Sequence, residues 1–159
     1  MLTLDAGGLT AALQAAGTLA PDVRITSVGT EPVGTGQMGD CLRLDLRYDG
    51  PTDSPATIVA KLPSSDETSR ATGVAMRTYE VEVRFYQDLA PRLPVRAPRC
   101  HHAEIDIGSG DFVLLLEDLA PAVQGDQVAG CTVDQARLVV AEAARLHAPR
   151  PRAVAPDVL

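Results

Sequence analysis

The chain has 159 residues, a formal net charge of −7, no tryptophan and an aromatic content of only 3%. This length fits one ordinary domain or a piece of a larger one, and its core must be mostly aliphatic. The negative charge argues against nucleic-acid and anionic-membrane partners, which would need a basic patch. No apolar run reaches the length of about 18 residues needed to cross a bilayer, and the N-terminal segment lacks the basic residues of a signal peptide.

Cysteine and histidine usage points to a cytoplasmic protein without a metal site. Cys41, Cys100 and Cys131 are widely spaced and form no CxxC pair, a pattern typical of reduced thiols inside the cell. The adjacent residues His101 and His102 would point to opposite faces of a strand, so they would not easily chelate one metal. The sequence therefore predicts cytoplasmic localisation and no metal ligands.

The first half of the chain predicts one short helix and three strands. The helix is expected over residues 8–19, and the first strand over residues 23–33. Residues 41–48, CLRLDLRY, alternate leucine with charged residues as a half-exposed strand does. Residues 57–63, TIVAKLP, predict a third strand that is apolar on both faces.

The second half predicts a loop, two helices and two strands. Residues 64–73 are polar and predict a loop, and a long helix is expected over residues 74–90. The fourth strand lies within 96–106 and the fifth over 112–119; a capping box then opens a helix over 132–147. Short connections between the first strands imply antiparallel pairing. The predicted fold class is α+β: a five-stranded, mostly antiparallel sheet with one principal helix, followed by a terminal helix.

Three glycines between the first two strands form the pattern G-x-G-x-x-G at Gly34, Gly36 and Gly39. A dinucleotide-binding loop would be followed by a helix, but residues 41–48 have the period of a strand. A Walker loop would need a lysine directly after the glycines, and none is present. The pattern predicts a glycine hairpin, and it leaves open whether this hairpin covers nucleotide phosphates or is a simple turn.

Lys61, the only lysine of the chain, stands in the middle of the apolar third strand. An ammonium there is costly unless it is paired. At about 100° per residue, Glu82 falls within the apolar stripe of the long helix, whereas Glu80 falls outside it and is predicted to be a solvated surface charge. We therefore predict that Lys61 pairs with Glu82. The pair is either a structural ion pair, or Glu82 positions Lys61 so that its ammonium binds the phosphates of a nucleotide.

Five segments occur in a particular order: VGTGQMGD, TIVAKLP, YEVEVRFYQDLAPRLPVRAPRC, FVLLLEDLAP and GDQVAGCTVDQARLVVAEAARLHAP. In this order they resemble the N-terminal lobe of protein-kinase-like phosphotransferases. The chain is similar to the aminoglycoside/choline kinase group and especially to its ecdysteroid-kinase-like branch, over residues 33–149. The resemblance implies the ATP-binding lobe of a phosphotransferase that moves the γ-phosphate of ATP to a hydroxyl of a small molecule, with magnesium in a full-length relative.

The resemblance also implies roles for particular residues. The glycines would cover the phosphates, Lys61 would bind the α- and β-phosphates, and Glu82 would orient the lysine. The segment 117–119 would be the hinge whose backbone meets adenine; without the other motifs, its two acids would be solvated charges at a strand end. The expected nucleotide-binding residues are Gly34, Gly36, Gly39, Lys61, Glu82, Glu117, Asp118 and Leu119.

The resemblance divides the chain into an N-terminal lobe over 1–119, a hinge or linker over 120–131, and the first helix of a C-terminal lobe with a tail over 132–159. The catalytic Asp and the metal-binding Asn and Asp would belong to that larger lobe, and the chain contains no asparagine. No catalytic residue is therefore assigned. We expect a truncated chain that does not transfer phosphate alone and that self-associates through its exposed surface. The alternative is a non-catalytic nucleotide-binding remnant or an α+β interaction module.

Overall fold

The fold is a five-stranded antiparallel sheet with helices on both faces. A computed structural model describes residues 1–34, 38–123, 125–126 and 128–148. Neighbouring strands follow the order β1-β2-β3-β5-β4, and all four pairs are antiparallel, which confirms the predicted α+β class. The strands are β1 (Ile25–Pro32), β2 (Gly39–Tyr48), β3 (Thr57–Pro63), β4 (Cys100–Asp106) and β5 (Asp111–Glu117). The helices are α1 (Ala6–Ala15), α2 (Glu67–Ala75), α3 (Thr78–Arg84) and α4 (Val133–His147).

Helix α1 covers one face of the sheet. Its first turn is capped by the Asp5 side chain, which accepts a hydrogen bond of 2.7 Å from the Gly8 N–H. The helix ends earlier than predicted because Gly17 adopts a left-handed conformation with φ 63°. Its buried leucines pack on the inward side chains of four strands, and the cluster includes Leu9, Leu13, Leu44, Leu46, Ile58, Ala60, Val113 and Leu115.

Helix α3 covers the opposite face, and strand β5 connects the two cores. Phe112, Leu114 and Leu116 alternate with Val113 and Leu115 along β5, so consecutive side chains point to opposite faces. The side chains of Phe112, Leu114 and Leu116 pack beneath Tyr79 and Val83 of α3. Every one of these side chains is at least nine-tenths buried, which fixes α3 on the face of the sheet that carries the candidate site.

The segment 64–73 is not the predicted loop, because α2 begins at Glu67. The Asp66 side chain caps α2 by accepting a hydrogen bond of 2.8 Å from the Ser69 N–H. The helix predicted from residue 74 is broken at Arg77, which has a left-handed φ of 55°. The break lets the Tyr79 ring pack on Gly73, where an added Cβ would lie 2.5 Å from Tyr79 Cζ. After Arg84, helix α3 continues as a π-helical turn and then a 3-10 turn that ends at Arg92.

Helix α4 begins with the predicted capping box. The Gln135 N–H donates to the Thr132 hydroxyl, and the Gln135 side chain accepts a hydrogen bond from the Thr132 N–H. One face of α4 carries exposed apolar side chains, since Val139 and Val140 are 66% and 67% exposed. Self-association through this face stays a prediction. Within the described ranges, none of the helices combines the length and the apolarity required to cross a bilayer.

His101 is expected to make stability depend on pH. Its ring is buried, and its Nδ1 lies 2.8 Å from the Thr18 hydroxyl. Burial and the charge of Arg99 lower the pKa of His101 below its usual 6.5, and Glu117 only partly opposes them. The unfolded chain therefore binds a proton more readily than the folded chain, so stability falls as the pH drops below 6.5.

Urea denaturation at about pH 7.5 and about pH 5.5 measures this effect. We expect His101→Gln to lose less stability than the wild type between these two conditions, because glutamine does not titrate. His147→Gln, at the exposed end of α4, is the control and should behave as the wild type does. Equal losses in the wild type and His101→Gln would contradict the assignment.

Candidate nucleotide-phosphate site

The centre of the site is an ion pair between β3 and α3. Ile58 and Ala60 of β3 face the α1 core, so strand alternation places Lys61 on the opposite face. Its ammonium donates hydrogen bonds of 2.6 and 2.7 Å to the two carboxylate oxygens of Glu82. The predicted pairing is confirmed. The two side chains are 27% and 30% exposed, so the pair is open to solvent on one side and less buried than the apolar surroundings in the sequence suggest.

Two of the predicted glycines, Gly34 and Gly39, lie within the described residues, and Gly39 is close to the side chain of Lys61. Gly34, just after β1, has a left-handed φ of 77°, which favours glycine. Gly39 is the first residue of β2 and is buried. A Cβ built on Gly39 would lie 2.9 Å from the Leu62 carbonyl oxygen and 3.5 Å from Lys61 Cε. Gly36, the third predicted glycine, lies outside the described residues.

The two acids at the C-terminal end of β5 are held by arginines. The carboxylate of Glu117 accepts hydrogen bonds from Arg96 Nη2 at 2.5 Å and from the Arg99 N–H at 2.9 Å. The carboxylate of Asp118 accepts a hydrogen bond of 2.7 Å from Arg43 Nε, and its side chain is only 7% exposed. The alternative prediction of a solvated acid is therefore wrong for Asp118, because an arginine 75 residues away covers it. The side chain of Glu117, by contrast, is 35% exposed.

These contacts keep both carboxylates charged. The hydrogen bond from Arg96, followed by that from the Arg99 N–H, lowers the pKa of Glu117. Burial alone would raise the pKa of Asp118. The hydrogen bonds from Arg43 and the Ala120 N–H outweigh burial, and the net shift of the Asp118 pKa is downward. The segment that contains Glu117, Asp118 and the 45% exposed Leu119 is thus fixed to the sheet by charged hydrogen bonds.

The Ecdysteroid kinase-like family is described by a model that matches residues 34–150. The match covers well over half of the chain and includes the β1–β2 hairpin, the Lys61–Glu82 pair and the segment 117–119. The chain belongs to the ecdysteroid kinase-like family. This membership confirms the resemblance and indicates a kinase-like small-molecule phosphotransferase. No curated protein matches the chain.

Glu80 of this ecdysteroid kinase-like chain is not the solvated charge that helix periodicity predicts. Its side chain is only 13% exposed and accepts hydrogen bonds from Arg77 Nε at 2.9 Å and Arg84 Nε at 3.3 Å. The Arg77 hydrogen bond is the main cause of its lowered pKa. Arginines three residues before and four residues after an acid lie on the same helix face and can cover it. Glu80 is engaged with its own helix, and Glu82 is the acid that reaches the sheet.

Two residues of β2 near the ion pair were not among the predicted site residues. Cys41 pairs with Lys61 in the strand register, and Arg43 pairs with Val59, so both lie on the Lys61 face. Burial, opposed mainly by the charge of Lys61, raises the pKa of the Cys41 thiol. Strand alternation alone places residues 41 and 43 on one face. The register that brings them beside Lys61 depends on the hairpin and is visible only in the fold.

The backbone of Leu62 lies so close to Gly39 that a larger residue at this position is expected to lower the stability of the fold. An alanine methyl at this position would press on the backbone oxygen of Leu62, which cannot rotate away. We expect Gly39→Ala to lower the free energy of unfolding by about 1–3 kcal/mol in urea denaturation. Gly50→Ala is the matched control, since nothing lies within 4 Å of a Cβ there and the unfolded chains change equally. Equal stability of the two variants would show that Gly39 does not approach the Leu62 carbonyl oxygen this closely.

Proposed function

We propose that this chain is the ATP-binding lobe of a small-molecule phosphotransferase of the ecdysteroid kinase-like family. In this proposal Lys61, oriented by Glu82, binds the α- and β-phosphates of ATP beneath the β1–β2 hairpin. The γ-phosphate is transferred to a hydroxyl of a small acceptor. The observation that carries the proposal is the pair of hydrogen bonds from Lys61 Nζ to the two carboxylate oxygens of Glu82, at 2.6 and 2.7 Å. An ammonium has three hydrogen-bond donors, so two are directed to Glu82 and one remains for a phosphate.

The position of the ion pair favours a ligand site over a purely structural pair. Both side chains keep more than a quarter of their surface exposed, and a pair this open contributes little to stability. Gly39, at the start of β2, lies so close to the lysine stem that a Cβ added there would be 3.5 Å from Lys61 Cε, and backbone N–H groups of a glycine loop can bind phosphate oxygens. The chain as a whole is negatively charged. A bound anion therefore needs a positive charge close to it. In this proposal Lys61, the only lysine of the chain, supplies that charge.

The base of the nucleotide is assigned to the segment Glu117–Leu119. The carboxylates of Glu117 and Asp118 are engaged by arginines, so the proposal gives base recognition to the backbone of this segment. We keep the division into a lobe over 1–119, a linker over 120–131 and a further segment from residue 132 as part of the proposal. The cytoplasm is the proposed location, since ATP is available there and all three cysteines are unpaired.

The residues described here do not form a magnesium site. In phosphoryl transfer magnesium neutralises the phosphates and is held by Asp and Asn side chains. No cluster of three or more His, Cys, Asp or Glu side chains able to hold a metal exists within 1–34, 38–123, 125–126 and 128–148. The sequence also contains no asparagine. We therefore propose that this polypeptide by itself binds ATP and does not transfer its phosphate.

Two measurements on the purified chain test the proposal. Calorimetric titration with ATP should detect binding, while an ADP-release assay with added magnesium and candidate alcohols should detect no turnover above background. Robust turnover would overturn the proposed inactivity. Absence of ATP binding would overturn the nucleotide-binding role and favour the α+β interaction module.

A further inference from the structure

The guanidinium of Arg43 joins three parts of the sheet. Its Nε and Nη2 donate to the two carboxylate oxygens of Asp118 at 2.7 and 3.4 Å, and its Nη1 donates to Glu31 Oε1 at 2.6 Å. Glu31 belongs to β1, Arg43 to β2, and Asp118 follows β5. The Glu31 side chain is 61% exposed, whereas that of Asp118 is 7% exposed. The contact with Asp118 is therefore the stronger of the two.

The Arg43–Asp118 bridge lies on the Lys61 face at a fixed distance from the ion pair. Arg43 pairs with Val59 across β2 and β3, and Asp118 comes directly after Glu117, which pairs with Ile58. The bridge thus crosses β3 between two and four residues from Lys61. At a rise of roughly 3.3 Å per residue this is about 7–13 Å, comparable with the separation of phosphates and base in an extended nucleotide.

We propose that Arg43 is a positioning residue for the base of a nucleoside triphosphate, acting through Asp118 on the segment Glu117–Leu119. The inference rests on the proposed nucleotide site. A two-pronged guanidinium–carboxylate contact fixes orientation as well as distance. Loss of the guanidinium would leave the nearly buried Asp118 carboxylate without its cationic partner. The segment would then lose its fixed position against the sheet, while the contact of Lys61 with phosphates would stay intact.

Titration with ATP and with inorganic tripolyphosphate separates the two ends of the site. Arg43→Gln is expected to weaken ATP binding roughly tenfold, the loss expected for one hydrogen bond to a charged group. Tripolyphosphate, which has no base, should bind as it does to the wild type. Arg43→Lys should also weaken ATP, because an ammonium cannot form the two-pronged contact. The double variant with Asp118→Asn should lose no more ATP affinity than the single variants, because both remove one contact.

Two control variants come from the same surface. Arg47→Gln removes another exposed β2 arginine, whose partner is the neighbouring Asp45 at 3.2 Å. Glu31→Gln removes the exposed partner of Arg43 and leaves its bridge to Asp118. Both controls should leave the ratio of the ATP and tripolyphosphate affinities unchanged. A merely structural role of Arg43 would lower the unfolding temperature without altering this ratio.

The outcomes distinguish this inference from the proposal on which it rests. If the wild type binds neither ligand, the nucleotide site itself is wrong and the inference falls with it. If the wild type binds both, and Arg43→Gln weakens both equally or neither, the role of Arg43 is overturned and the phosphate site stands. Should Arg43→Gln not fold, Asp118→Asn, which keeps the side-chain size, must lower the affinity ratio, and an unchanged ratio overturns the inference.

Discussion

Replacing Lys61 with methionine is expected to weaken ATP binding by roughly 10- to 100-fold, the loss that corresponds to a hydrogen bond between charged groups. Methionine keeps an unbranched apolar stem in β3 and removes only the ammonium. Because Lys61 and Glu82 are both partly exposed, the free energy of unfolding should change by less than about 1 kcal/mol. Calorimetric titration and urea denaturation of the same preparations measure the two quantities.

Three comparisons make this result specific. Glu82→Gln keeps the lysine charge and removes its anchor, so its loss of ATP affinity should be smaller than that of Lys61→Met. Arg47→Gln removes a distant cation from β2 and should have no effect. Because Lys61 is the only lysine, acylation by a lysine-reactive ester can be located by peptide mass, and ATP should slow it at this residue. ATP affinity that is unchanged in Lys61→Met would show that the ion pair is only structural.

Replacing Phe112 with alanine is expected to lower the free energy of unfolding by about 3–5 kcal/mol. The ring is 1% exposed and lies 4.7 Å from the Tyr79 ring, centroid to centroid, at a tilt of 37°. Its Cζ is also 3.9 Å from a Cβ built on Gly39. Removing it would leave a cavity beneath α3 and beside Gly39 and would remove an aromatic pair. Urea denaturation followed by circular dichroism measures the loss.

The other phenylalanine of the chain is the matched control. Phe85 is only partly buried and makes an edge contact with Tyr86 at 5.2 Å, so Phe85→Ala should cost much less than Phe112→Ala. Phe112→Leu, which keeps most of the volume, should fall between them. Equal losses for Phe85→Ala and Phe112→Ala would mean that Phe112 is not the centre of the α3 core.

Strands and helix ends that are specified by a local residue pattern could be predicted from the sequence. Residues 41–48 alternate strictly, and the structure places Leu44 and Leu46 on one buried face of the strand, as the alternation predicts. The third strand, 57–63, agrees exactly in its bounds with β3. The Thr132 capping box needs only residues three positions apart, and it also opens α4 as predicted. Such features depend on neighbours in the chain, so a single sequence contains the information for them.

The loop predicted over 64–73 shows where local reasoning fails. Polarity alone favoured a loop, but Asp66 is a good N-cap residue, and this signal could have predicted α2. The break at Arg77 had no comparable signal. It accompanies the packing of the Tyr79 ring on Gly73, a contact that a helical wheel drawn through residues 74–90 cannot show.

The sequence by itself determined the fold class, the bounds of β3 and the choice of Glu82 as the partner of Lys61, because strand alternation, helix periodicity and the cost of an unpaired charge are local or pairwise rules. Only the tertiary structure decided that Arg43 reaches Asp118, 75 residues away, and that Arg96 reaches Glu117, 21 residues away. Those contacts depend on strand register and side-chain reach, and both are set when the whole sheet assembles around its two cores.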